Sequence, residues 1–299
     1  MKRATLVGAA LLAACSLGAA RAAAEPLVRT TDLSSPAGAA VLGEIARARR
    51  LHPARFDQVR AVRASAPARD RQRHGRVAQL APALRALGKD ALLPMLSALL
   101  DDAPDEPARV TLAVHLGLLQ AIGELRDARA HSVLVAALDR ATDPRLARTA
   151  AAALGALGTD EAIDALLART SSPAAIAGLG AARRARATGA LAAMLDGADD
   201  ITAVHIMDAL GDAANEWAWQ TSKVAASGER DAVVGVAAAA LARSFVLRRG
   251  DARARAAKAL RLAGAGEAVP ALRVARDGAA GEARDAAGRL LAELTRQAR

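Results

Sequence analysis

Large side chains and thiols are scarce in this chain. Its 299 residues include two tryptophans, two phenylalanines, no tyrosine and one cysteine. One cysteine cannot pair within the chain, so a disulfide scaffold is excluded. Long apolar runs are also missing. Beyond the first thirty residues the most apolar stretch, 110–123, is shorter than the roughly 20 residues a spanning helix needs, and it holds His115 and Gln120. What the chain has instead is alanine, 85 residues of it, within a hydrophobic share of 53%. That share rules out disorder driven by low hydrophobicity. Alanine with leucine and arginine favours helix throughout, because alanine loses the least on entering one. The composition therefore points to an all-α chain whose apolar content is mostly methyl groups.

The first residues read as an address. Lys2 and Arg3 precede an uncharged run over residues 4–20, the charged and apolar regions of a secretory signal. Two exits compete. Ala22-Ala23-Ala24 before Glu25 and Pro26 suits small-residue cleavage and gives a signal peptide over 1–24. Leu12-Ala13-Ala14-Cys15 looks like a bacterial lipobox, with a leader over 1–14, lipidation at Cys15 and attachment to a membrane. Either exit leads to an exported protein, in the periplasm or lipid-anchored at the cell envelope. The folded part is thiol-free in both cases, which suits an oxidising compartment.

A net charge of +10 invites a nucleic-acid partner. The distribution of charge argues against one. Cleavage before Glu25 removes Lys2, Arg3 and Arg21 and leaves about +7; lipidation at Cys15 keeps Arg21 and leaves about +8. Residues 44–76 hold ten arginines against Glu44, Asp57 and Asp70, while the chain from 77 onward comes out near +1. Residues 25–75 therefore read as a basic N-terminal cap of one or two short helices with a polar linker over about 66–76. The cap is either a solvated surface or a contact for acidic headgroups or an acidic partner. Further on, an acidic stretch (Asp196, Asp199, Asp200, Asp208, Asp212, Glu216) is followed by a basic one from Arg243 to Arg261. These are either ordinary helix faces with ion pairs between repeats or a bipolar surface that orients a partner.

From about residue 76 the chain repeats. ALGKDALLPML (86–96), ALGTDEAIDALL (156–167) and LAGAGEAVPAL (262–272) align as a small-residue stop, an acidic turn and an apolar helix. Related stops fall at 86–88, 121–123, 153–155 and 209–211, and the first steps match one helical hairpin of a solenoid. Leu146, Ala150, Leu154 and Leu157 share one helical face. Asp143 before Pro144 and Ser172 before Pro173 read as N-caps. Gly88, Gly123 and Gly158 stand where left-handed C-terminal stops are wanted. About twenty residues after Gly211 break the period, with Asn215, Trp217, Trp219, Gln220 and Lys223 among them. Insertions of this kind often carry binding.

The run DPRLARTAAAALGALGTDEAIDALLAR (143–169) resembles a bacterial HEAT repeat of the short, phycobilin-lyase-like type. ARARAAKALRLAGAGEAVPALRVARDG (252–278) is similar to it, and PARVTLAVHLGLLQAIGELRDARAHSVLVAALDR (107–140) is a longer relative. The resemblance covers roughly 76–299 and implies an alpha-alpha superhelix, a right-handed solenoid of antiparallel helix pairs packed closely through alanine.

Chemistry is sparse. HEAT-like hydroxylases hold a di-iron centre with His-Glu pairs, but none of His52, His74, His115, His131 and His205 precedes a glutamate. No H-E-x-x-H, G-x-S-x-G, Walker loop or dinucleotide fingerprint is present. The acidic clusters at 101–106 and 196–200 read as inter-helix turns rather than calcium loops. His115, in an apolar helix, reads as an interior or groove residue. Trp217 and Trp219, two apart, cannot both face one side of a helix, so one packs inward and the other is open to a partner. The expectation is an exported, non-catalytic scaffold without cofactor or metal. It binds a protein or peptide on its concave face and no nucleic acid, with Trp217, Trp219, Arg248, Arg249 and Arg253 as contacts. The alternative is a lyase-like or other enzymatic accessory protein on the same repeats.

Overall fold

The computed structural model describes residues 26–72, 77–101, 106–221 and 227–297. Cys15, His74, Lys223 and most of the 101–106 cluster lie outside them. Among the described residues the regular elements are helices: α1 (Pro36–Leu51), α2 (Pro53–Ala64), α3 (Ala66–Arg71), α4 (Ala81–Arg85), α5 (Leu92–Leu100), α6 (Ala108–Leu125), α7 (His131–Arg140), α8 (Pro144–Leu157), α9 (Asp160–Leu167), α10 (Pro173–Ala182), α11 (Ala185–Gly197), α12 (Asp200–Ala214), α13 (Glu216–Thr221), α14 (Arg230–Leu247), α15 (Gly250–Ala263), α16 (Ala265–Asp277) and α17 (Gly281–Gln297), with short 3-10 turns between some of them. No described helix is long and apolar enough to cross a membrane.

Local signals place the ends of α8. Asp143 accepts a hydrogen bond from the Arg145 amide at 2.8 Å, and Pro144 stands at the first helical position where its missing N–H is not needed. Leu146, Ala150, Leu154 and Leu157 are all buried. Gly158 closes the helix in the left-handed region at φ 66°. The equivalent signal at α10 is weaker than the sequence suggests: Ser172 occupies the N-cap but makes no side-chain capping bond.

The helices form two rows. In the first, α4, α6, α8, α10, α12 and α15 pack each on the next; in the second, α5, α7, α9, α11 and α14 each lean on the following helix of the first. Glycines set the spacing of the first row. A Cβ on Gly123 of α6 would lie 2.7 Å from the Ala153 Cα of α8, and one on Gly211 of α12 would lie 2.9 Å from the Ala259 Cβ of α15. Cβ atoms on Gly155 and Gly180 would overlap the carbonyls of Gly178 and Ala209. The Ala-Leu/Ile-Gly signatures at 121–123, 153–155 and 209–211 are thus contact points inside helices, not stops. Gly123 in particular does not end α6, which runs on to Leu125 and stops at Arg126 in the left-handed region. The pair Gly178 and Gly180 supplies the contact missing from the sequence period, so α10 is a full member of the row.

The N-terminal segment joins the same core. Val41, Ile45, Phe56 and Val59 are buried in one cluster that continues to Leu294. Residues 66–71, expected as linker, form α3 against α6, because Ala66 is fully buried and small enough for that contact. Its arginines are drawn into pairs: Arg55 with Asp90 at 3.2 Å, Arg63 with Glu106 at 2.8 Å, and Arg49 over the Phe56 ring at 5.3 Å. The later charge blocks also meet each other. Arg243 pairs with Asp196, Arg248 with Asp200 and Arg255 with Asp208, at 3.6, 2.6 and 3.2 Å. Of the two readings, ion pairing between repeats describes these residues.

The packing predicts opposite signs for two glycines. Gly155→Ala should destabilise the fold by about 3 kcal/mol, since the added methyl has no room against backbone. Gly189→Ala, in α11 with nothing within 4 Å of its added Cβ, should stabilise by roughly 0.5–1 kcal/mol. Urea denaturation of the two variants checks both; equal effects would mean that the close contacts do not set the spacing.

Candidate functional site

The residues expected from sequence to bind a partner fall into two groups. Trp219 turns inward, half-buried, and its Nε1 donates to the Ala213 carbonyl at 2.8 Å. Trp217 on the same helix is 70% exposed. Arg248 and Arg253 are engaged within the chain. Arg248 holds Asp200 and donates to the carbonyls of Leu195 and Ala198 at 3.1 and 2.7 Å, tying the turn before α12 to the end of α14. Arg253 donates to the Arg248 carbonyl and to Glu282, at 2.8 and 2.7 Å. Their side chains are 16% and 14% exposed, and both act as cross-links within the chain. Arg249 is exposed next to them. The acidic turn at 196–200 serves as a cap, with Asp199 accepting from the Thr202 amide at 2.8 Å.

A cleft of about 680 Å³ opens elsewhere, between α6, the start of α8, the end of α7 and the chain at Pro26, Leu27 and Val77. One helical stripe makes its main wall. Ala108, Thr111, Leu112 and His115 sit at i, i+3, i+4 and i+7 of α6 and all line it. Opposite stand Thr142, Asp143, Arg145 and Leu146. The segment at 26–28 is held in place by the Val28 amide, which donates to the Leu99 carbonyl at 3.1 Å. Volume and lining fall in the range of sites that take a ligand or a short peptide segment.

His115 is the unusual wall residue. Its side chain is buried at 4% exposure, yet among the described residues its ring makes no hydrogen bond. Burial pushes its pKa down to about 4, helped by the nearby Arg63 guanidinium. The imidazole is therefore neutral at neutral pH and carries one donor and one acceptor nitrogen. The arginines around it are neutralised. Arg109 pairs with Asp70 at 3.0 Å, Arg140 with Asp32 at 3.4 Å, and Arg145 with Asp143 at 2.7 Å. The Arg145 fork holds the Asp143 carboxyl at about 2, so it stays ionised and cannot act as an acid. Among the described residues no three His, Cys, Asp or Glu side chains meet in a group that could hold a metal ion. In the sequence, Thr111 and His115 on an otherwise apolar stripe are the only trace of this wall. The opposite side comes from chain about thirty residues further on, beyond any local pattern.

His115 makes acid stability a direct readout. Its folded pKa of about 4 lies below the unfolded value of 6.5, so the unfolded state binds the extra proton between those values. The stability that the neutral ring allows is complete above pH 6.5 and is lost as pH falls toward 4, by about 3 kcal/mol in all. In His115→Leu that part of the pH dependence should vanish. Urea midpoints measured from pH 7.5 to 4 check it, and a variant that parallels the parent chain would contradict the assignment.

Comparison with known proteins places these observations. A family comparison matches residues 112–177 to HEAT repeats. That segment holds most of α6, all of α7 to α9 and the start of α10, including Leu112 and His115 of the main wall and the opposite wall at 142–146. Comparison with curated proteins finds no match. Among solved structures the chain is similar to human deoxyhypusine hydroxylase in complex with glycerol, at 21% identity and a TM-score of 0.33, over 81% of this chain and 98% of that one. With residues 112–177 matched to HEAT repeats and the same row packing continuing on both sides, the chain is an all-helical, HEAT-like solenoid that carries HEAT repeats at its centre.

Proposed function

We propose that this chain is an exported, non-enzymatic scaffold of a bacterial cell envelope, and that it binds a protein or peptide segment in the cleft between α6 and α8. The observation that carries this reading is the cleft wall itself. Leucines at 27, 112 and 146 offer apolar surface, and Thr111, Thr142 and the neutral His115 offer polar groups. That mixture suits a backbone with one or two buried side chains. Catalysis is less well supported. A base with pKa of about 4 is weak at neutral pH, and the charged group that acts on His115 is a cation, not an orienting carboxylate.

Two measurements test the reading. A photo-crosslinking amino acid in place of Leu112 should capture a defined envelope protein, while the same group in place of Leu247, 78% exposed on α14, should not. Failure to capture any partner, together with turnover of a small molecule that His115→Ala abolishes, would instead favour an enzymatic accessory role. Export is tested by the intact mass of the mature chain. It should begin at Glu25 or carry lipid on Cys15, and a mature chain that still begins at Met1 would remove the envelope from the proposal.

A further inference from the structure

Away from the cleft, the ends of the first-row helices present an unusual pair of arginines. Arg126 ends α6 at φ 53° and Arg183 ends α10 at φ 48°. Residues with a Cβ are disfavoured in this left-handed region, and α8, which lies between the two, makes the same stop with Gly158. The conformation alone therefore does not call for arginine. Among the described residues neither guanidinium has a hydrogen-bond partner, and Arg183 Nε is buried with no acceptor. Burial lowers the pKa of both, and Arg126 lowers that of Arg183 further.

The charges around them do not balance. Arg183 is within electrostatic range of one carboxylate, Asp212 of α12. That carboxylate is shared with Lys258 of α15 and Arg148 of α8. Asp208, one turn earlier, is held by Arg255 at 3.2 Å. Three cations, Arg183, Lys258 and Arg148, thus act on one carboxylate that no hydrogen bond claims, and Arg126 adds a further positive charge near Arg183. Asp212, the carboxylate within range of Arg183, also lines a recess of about 220 Å³. Pro173 and Ala177 of the 10-residue α10 line it together with Arg148, His205, Asp212 and Lys258.

We infer that the recess and the Arg126–Arg183 pair form a second binding site, which takes the carboxylates of an acidic protein segment laid across α6, α8, α10 and α12. The inference rests on the reading of the chain as a protein-binding scaffold and names the chemistry of what it binds. Guanidinium forks hold carboxylates in two parallel hydrogen bonds. An unpaired, partly buried cation is unfavourable until such an acceptor arrives. The free protein therefore gives up stability at this point, and the acidic ligand restores it.

The test uses the full mature chain and a fluorescein-labelled alternating Glu-Gly peptide, with a Gln-Gly peptide as control. The wild-type chain should bind the first and not the second. Arg126→Gln and Arg183→Gln should each weaken binding about tenfold, and should each raise Tm by ~2 °C because an uncompensated charge is removed. A structural role would lower Tm instead. Absence of wild-type binding, unchanged affinity in both variants, or a fall in Tm in both would overturn the inference. Displacement of the peptide by millimolar inorganic phosphate would overturn it too, by making this a site for small free anions. Leu112→Arg in the cleft should leave peptide binding intact, so the two sites fail separately.

Discussion

Close backbone contact along the first helical row is the constraint on which the rest of the structure depends. With two tryptophans, two phenylalanines and no tyrosine, the chain cannot fill wide gaps between helices. It removes the gaps. Glycine or alanine at each crossing lets α6, α8, α10, α12 and α15 approach until backbone meets backbone, and the short distances recover dispersion and burial that larger side chains supply in other folds. A stack made in this way is stiff in its spacing, and the gaps it leaves at its surface follow from which helices are short or begin late.

Arginine is the second half of the design. It is the common charged partner in both halves of the chain, and many of its forks are engaged across helices or repeats: Arg63 with Glu106, Arg169 with Asp139, Arg184 with Glu229, Arg261 with Glu293. Exposed pairs of this kind contribute little individually. Their effect is on register, since each links one hairpin to the next. Arg126 and Arg183 differ from these in closing their helices in the left-handed region, partly buried and without an ion pair among the described residues.

Both surface depressions arise from irregularity in the repeat. The larger is bounded where the N-terminal segment crosses the first complete hairpins, so its walls come from residues as far apart as Leu27 and Leu146. The smaller lies over α10, the shortest of the first-row helices from α6 onward. Neither needs an inserted domain. A solenoid acquires distinct sites by shortening one helix or laying an extra segment over another, while its core contacts continue beneath.

Composition and periodicity alone determined the helical class, the repeat, the capped start of α8 with its buried stripe, and the opposite facings of Trp217 and Trp219. These follow from rules that act over a turn or two of chain. Tertiary structure decided the rest. It made Gly123, Gly155 and Gly211 contact points where a local reading of Gly123 sees a stop, because only the neighbouring helix shows the missing space. It turned residues 66–71 from linker to packed helix, and it took up Arg248 and Arg253 in cross-links whose acceptors lie in distant turns. It also brought His115 to a cleft whose far wall is remote in sequence. Pairing between helices depends on the distance across the stack, and no local pattern carries that information.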